Sequence, residues 1–260
     1  MKLLILAAGY ATRLYPLTIN TPKPLLNVAG RPLIEHVLAA ALDTAGLDAI
    51  HIVSNARFAA AFEEWSHDYR NRHPTAPPFI VTDDGSTSDA TKRGAIGDVR
   101  LVIDRHRIDD DLLIVGGDNL FTDRLSRLVD FARVRGPTIA VYDVGDVQLV
   151  RQYSNIAFDA DGRITHFEEK PTNPRGTMAG ICVYFYPRAT LPAIDRYVRE
   201  GNNPDQPGRL VAWLYTRCPV YAYPITGNWI DIGTPDQLAE ANRVFARDAN
   251  RDGDVRHDRQ

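Results

Sequence analysis

A chain of 260 residues, 44% hydrophobic and 24% charged, has the composition of a folded globular protein and the length to bury a sizeable core. Its 30 basic and 33 acidic residues leave a formal net charge of −3, so no general attraction to nucleic acid or to an anionic membrane is expected. Two cysteines without metal-ligand spacing argue against a disulfide framework or a zinc site; the apolar start, Leu3 to Ala8, is too short for a membrane span and lacks a signal-peptide pattern, so a cytoplasmic location is expected.

Residues 2–6 form a continuous apolar run ending in Ala-Ala-Gly, the pattern of a strand buried on both faces. A loop follows, then a helix over 33–45, with Pro32 near its start and Gly46 past its end. A strand over 49–53, a helix over 57–72 and a short strand over 79–81 come next. The polar stretch Asp83 to Ser88 reads as a loop, 95–105 as a helix, and 112–115 as a strand ending in Gly116-Gly117-Asp118-Asn119. A helix over 123–135 and a strand over 138–142 complete an alternation that predicts a mostly parallel sheet covered by helices. Beyond it, strands 155–158 and 163–169 around the turn 159–162 predict a β-hairpin. A strand over 177–186, helices over 191–199 and 209–216, a strand over 220–224 and a helix over 235–246 make this half mixed and partly antiparallel. The expected organisation is one α/β domain, 1–247, in two halves (1–145 and 146–247), with a frayed, charged tail over 248–260.

In open α/β sheets, ligands bind beyond the carboxyl ends of the strands. The segment Leu6-Ala7-Ala8-Gly9-Tyr10-Ala11-Thr12-Arg13-Leu14, continuing to Pro16-Leu17-Thr18 and Pro22-Lys23-Pro24-Leu25-Leu26, leaves the first strand at that edge. Gly9 permits close backbone approach to a base or phosphate. Arg13 and Lys23 put two cations in one loop: an arginine can grip phosphate oxygens in two places, and a lysine acts as a compact point charge, though a Pro-rich surface loop with solvated cations would also explain them. There is no G-x-G-x-x-G and no G-x-x-x-x-G-K-[ST], so neither a dinucleotide site nor a P-loop is indicated.

Asp118 follows an apolar strand, where a carboxylate faces the ligand edge; it could equally form the turn. Asp231 sits among apolar residues in Trp229-Ile230-Asp231-Ile232-Gly233, an unusual place for an unpaired charge. A metal ion would resolve it, and so would anchoring of the last helix. Cys182, in an apolar run, reads as a buried inert thiol. The seven histidines form no ligand-spaced pair and take no role.

The opening string resembles the sugar-1-phosphate nucleotidyltransferase family, whose pattern is roughly L-A-A-G-x-G-T-R-L-x-P-L-T followed by P-K-P-L. Ala11 stands where that family usually has a second glycine. The resemblance implies a Rossmann-like nucleotidyltransferase fold, with a nucleotide-binding first half and a sugar-phosphate-binding second half. It implies that Ala8, Gly9 and Asp118 belong to the nucleotide site, that Arg13 holds the triphosphate and that Lys23 neutralises charge near the α-phosphate. Asp118 and Asp231 match the family's metal-binding aspartates, implying a Mg2+ cofactor.

Phe167-Glu168-Glu169-Lys170-Pro171 is similar to the family's E-K-P segment, implying that Lys170 binds the phosphate of a sugar-1-phosphate and Glu169 its hydroxyls. Gly180 matches a glycine where the family's backbone approaches the sugar; a bulge would also explain it. The stretch from Asp83 to Asp98 lacks the Q-x-x-x-x-G-L-A-Q-A of thymidylyltransferases and resembles a shorter branch, making Asp84, Gly85 and Gly94 candidate base contacts. The implied reaction joins a nucleoside monophosphate from an NTP to a sugar-1-phosphate. A non-sugar acceptor (cyclitol phosphate or phosphocholine) and a non-catalytic sugar-nucleotide-binding regulatory homologue stay open. A monomer or small homo-oligomer is expected. The base and sugar are not readable.

Overall fold

The structure, a computed structural model, describes residues 1–257, with side chains described through Ala246. The chain runs through β1 (Lys2–Ala7), a loop with two 3-10 turns (Thr12–Leu14 and Lys23–Leu25), the small hairpin β2 (Asn27–Val28) and β3 (Arg31–Pro32), α1 (Leu33–Ala41), β4 (Ala49–Ser54), α2 (Ala59–Arg72) and β5 (Phe79–Asp83). A 3-10 turn (Asp89–Thr91), α3 (Ala95–His106), β6 (Leu112–Gly116), β7 (Asn119–Phe121), α4 (Leu125–Arg135) and β8 (Thr138–Asp143) follow. The second half holds α5 (Val147–Val150), β9 (Ser154–Phe158), β10 (Ile164–Glu169), β11 (Met178–Tyr186), α6 (Leu191–Arg199), α7 (Pro207–Leu214), β12 (Tyr221–Pro224), β13 (Trp229–Asp231) and α8 (Pro235–His257).

Nine strands form one sheet. Along β5-β4-β1-β6 all pairings are parallel, the consequence of helical crossovers between successive strands. β11 then joins β6 antiparallel, and β9, β10, β8 and β12 extend from it. The expected change of character between the halves is therefore a change in strand direction at β6–β11.

Each face of this sheet carries its own core. Leu3, Ile5 and Ala7 of β1 pack on one face with residues of α1, α2, α4 and α8, among them Ile34, Phe62, Leu128 and Phe245. Leu4, on the opposite face, joins Ile96 and Val99 of α3, Ile194 of α6 and Leu210 of α7. β1 is thus apolar without alternation because both of its faces are covered.

The helix expected to 45 ends at Ala41, giving way to turns before Gly46. The last helix continues through His257, where the sequence predicts a frayed tail from 248. Residues 258–260 lie outside the described residues. Among the described residues no helix is long and apolar enough to cross a membrane.

Candidate active site

The opening loop is largely exposed, with Tyr10, Leu14, Thr18, Pro22 and Pro24 buried as its anchors. It leaves β1 beside the end of β6, where the Gly117 N–H donates to the Leu6 carbonyl at 2.9 Å. Its two cations both reach the far end of the chain. Lys23 Nζ lies 2.7 Å from Asp118 Oδ2 and also donates to the Ile232 carbonyl. The Arg13 guanidinium lies against Gly233. The loop bounds a cleft of about 400 Å³ lined by Gly9, Tyr10, Ala11, Thr12, Arg13, Lys23, Asp89, Lys92 and Asp118. That is within the size range of small-molecule sites.

Asp118 and Asp231 meet through pairing that sequence pattern did not reveal. β7 and β13 form a two-stranded antiparallel sheet in which Asp231 stands opposite Asn119, and the Ile232 N–H donates to the Asp118 carbonyl at 3.2 Å. The two carboxyls sense each other. Burial and the Asp118 charge push Asp231 up to about 6, against the pull of Lys23 and Arg13. Burial would also raise Asp118, but the Lys23 ammonium and the Asn119 amide outweigh it and hold that carboxyl below its ordinary value. Among the described residues no group of three or more His, Cys, Asp or Glu side chains gathers as a ready-made metal cage. Asp118 lines both chambers and Asp231 the second, which leaves two hard oxygen donors, the type that Mg2+ or Ca2+ takes, close to where the chambers meet.

The second chamber, about 290 Å³, adjoins the cleft at Asp118. Asp118, Asn119, Tyr153, Ser154, Glu169, Lys170, Gly180, Cys182, Gly208, Trp229 and Asp231 line it. Ser154 Oγ donates to Glu169 Oε2 at 2.5 Å, which turns that carboxylate toward the start of α7. A Cβ on Gly208 would overlap Glu169 Oε2, so only glycine lets the carboxylate lie there. Gly208→Ala is therefore expected to displace Glu169. The expected result is about 10²-fold lower kcat/KM for any substrate seated in the second chamber, measured by steady-state kinetics.

Two residues of the site occupy the left-handed backbone region, Ala11 at φ 48° and Lys170 at φ 48°. Ala11 stands where glycine is the expected type, and its conformation shows why. Ala11→Gly is expected to raise stability by about 1 kcal/mol, read from the denaturation midpoint. Lys170 is held by its N–H, which donates to the Tyr153 carbonyl at 2.8 Å, and its side chain enters the second chamber.

The candidate base contacts fall elsewhere. Asp84 is buried; its carboxylate accepts from the Ser86 N–H at 2.6 Å and the Ser86 hydroxyl at 2.9 Å. Asp84, Gly85 and Gly94 are not among the residues lining either chamber. Gly94 instead packs against another loop, where a Cβ would come within 2.6 Å of the Pro204 carbonyl oxygen. The Ala8 carbonyl is occupied by Asn55 Nδ2 at 3.0 Å. Gly180 sits where the β11–β8 register shifts and lines the second chamber, so its two readings coexist. Cys182 is half-buried rather than buried and also lines that chamber; burial first, then the Asp118 charge, raises its thiol well above the ordinary value, so it is unreactive. Sequence reasoning passed over Asp89, Lys92, Asn119, Tyr153 and Trp229.

The chain matches the nucleotidyl transferase family over residues 2–248, nearly its whole length. The protein belongs to that family. Among its relatives, the bifunctional protein GlmU of Methanocaldococcus jannaschii is 24% identical over 252 residues, covering 97% of this chain and 56% of that one. A glucose-1-phosphate adenylyltransferase of Desulforamulus reducens is 27% identical over 251 residues, covering 92% of this chain and 62% of its own. The chain thus spans somewhat more than half the length of these relatives. In fold it resembles the crystal structure of a UDP-glucose pyrophosphorylase complexed with UDP-glucose, with a TM-score of 0.78 at 19% identity over 95% of this chain and 98% of the other.

Proposed function

We propose that this nucleotidyl transferase moves a nucleoside monophosphate from an NTP to a sugar-1-phosphate, giving an NDP-sugar and pyrophosphate. The observation that carries the reading is the convergence of Lys23, Asp118 and Asp231 where a cationic cleft adjoins a chamber lined by Glu169 and Lys170. A donor triphosphate in the first and an acceptor phosphate in the second would meet at the carboxylates.

In this reading, an oxygen of the acceptor phosphate attacks the α-phosphorus in line. The bond to the bridging oxygen of the β-phosphate breaks, and that oxygen takes the electron pair as pyrophosphate leaves. The attacking oxygen is already anionic, so no side chain needs to remove a proton. Arg13 and Lys23 hold the triphosphate and oppose its charge. Lys170 holds the acceptor phosphate, and Glu169 accepts hydrogen bonds from sugar hydroxyls. Asp118 and Asp231 would hold Mg2+, which when bound neutralises charge on the α-phosphate oxygens.

A second acceptor class has an observation in its favour. Trp229 and Tyr153 meet edge-to-face at 5.1 Å beside the Glu169 carboxylate, and aromatic faces with a nearby anion also suit the quaternary ammonium of phosphocholine. Assays of pyrophosphate release across five NTPs with glucose-1-phosphate, mannose-1-phosphate, inositol-1-phosphate and phosphocholine, with and without Mg2+, test the proposal. Turnover of phosphocholine alone would reassign the acceptor. No turnover of any pair would leave the regulatory homologue as the better reading.

A further inference from the structure

We infer that Asn119 and Trp229 are positioning residues that fix the plane of the Asp118 carboxylate and commit one of its oxygens. The geometry determines the direction of each hydrogen bond in the series. An indole N–H can only donate, so Trp229 Nε1, 2.8 Å from Asn119, must face the amide oxygen. The amide nitrogen then faces Asp118 Oδ1, also at 2.8 Å. Asn119 is only 3% exposed, so solvent does not compete for its amide. Trp229 is in turn wedged between Tyr142 and Tyr153, with ring centroids at 5.6 and 5.1 Å.

The consequence for Asp118 is asymmetry. Oδ1 is taken by the amide and Oδ2 is paired with Lys23, so a bound cation would share Oδ2 with, or displace, the ammonium. Trp229 also forms part of the acceptor chamber wall. An acceptor seated there touches the first member of a hydrogen-bonded chain whose last member is Asp118. The inference rests on the proposed role of Asp118 and Asp231 as a cation-binding pair, and adds two residues outside that pair. Groups that orient a ligating carboxylate change metal affinity by about 10- to 100-fold when removed.

Mn2+ binding, followed by electron paramagnetic resonance, tests the inference on the wild type, Trp229→Phe, Asn119→Ala and the double variant. Trp229→Phe keeps an aromatic wall and removes the N–H. Each single change is expected to weaken Mn2+ binding about tenfold. The double variant is expected to bind no more weakly than Asn119→Ala, because the two residues act in series. Unchanged affinity in both singles, or effects that multiply in the double, would overturn the inference. A raised acceptor KM in Trp229→Phe with Mn2+ affinity intact would overturn it too, leaving Trp229 as a wall only. If Asn119→Ala fails to fold by circular dichroism, Trp229→Phe decides alone. A wild type that binds no Mn2+ defeats the cation-pair reading and this inference with it; a wild type that binds while the variants match it defeats this inference only.

Discussion

Asp231→Asn is expected to lower turnover about 10²- to 10³-fold while making the metal-free protein more stable at pH 8. The two effects share a cause. The Asp231 carboxyl is pushed up to about 6 by burial and then by the Asp118 charge, from an ordinary value of 3.8. A carboxyl raised on folding contributes stability that is fully present below its unfolded pKa, and that contribution is lost as pH rises through the folded one. For Asp231 the loss spans about pH 4 to 6 and is on the order of 1–3 kcal/mol. Asparagine does not ionise and escapes it. A bound divalent cation reverses the sign for the wild type, so Mg2+ should raise its melting temperature and leave the variant's unchanged. Asp118→Asn should behave differently. Its carboxylate is the ionic partner of Lys23, so both turnover and stability should fall. Thermal unfolding at pH 5 and pH 8, with and without Mg2+, and pyrophosphate release decide the matter. An Asp231→Asn protein with full turnover, or with no gain in stability at pH 8, would contradict the assignment.

Asp98→Asn is expected to stabilise the protein by a few kcal/mol above pH 7. Asp98 is buried, and its Oδ1 has no hydrogen-bond partner among the described residues. Burial, then the charge of Asp84, pushes its carboxyl up to about 7, against the pull of Arg93. The sign is that of Asp231. Stability is greatest below the unfolded pKa and falls as pH rises from about 4 to 7, so wild type and variant should converge at acid pH. The Arg93 Nε, which donates to the Asp84 carbonyl at 2.5 Å, keeps this loop in place in the variant. Chemical denaturation from pH 4 to 8 measures the difference. A constant gap across that range would show that the group does not titrate there.

The fold was legible wherever a local pattern was long enough to repeat. β1, α3, β6 and α4 stand close to where periodicity puts them, and the two halves differ as their patterning does. Asp118, Asp231, Lys23 and Arg13 stood out as candidates, because charged residues beside apolar strand ends are conspicuous. What brings them together did not. β7 and β13 are three residues each, too short for alternation to register, and their pairing spans most of the second half of the chain. For Asp84 the pattern was silent on its surroundings, because an aspartate among Ser, Thr and Gly looks the same whether it faces a ligand or accepts bonds from its own loop. Gly94 was equally silent, because the loop it packs against, at Pro204, is remote in sequence. Asp89 and Lys92 are ordinary turn residues until the fold brings them to the wall of the cleft.

Lys170 and Ala11 share a backbone conformation that glycine adopts at no steric penalty, yet they stand under different pressures. A laboratory search for heat-resistant variants should accept glycine at both positions, since strain is relieved in either case. Selection for the proposed activity should keep only the change at position 11. If Lys170 holds an acceptor phosphate as proposed, position 170 is where thermal robustness and activity pull apart.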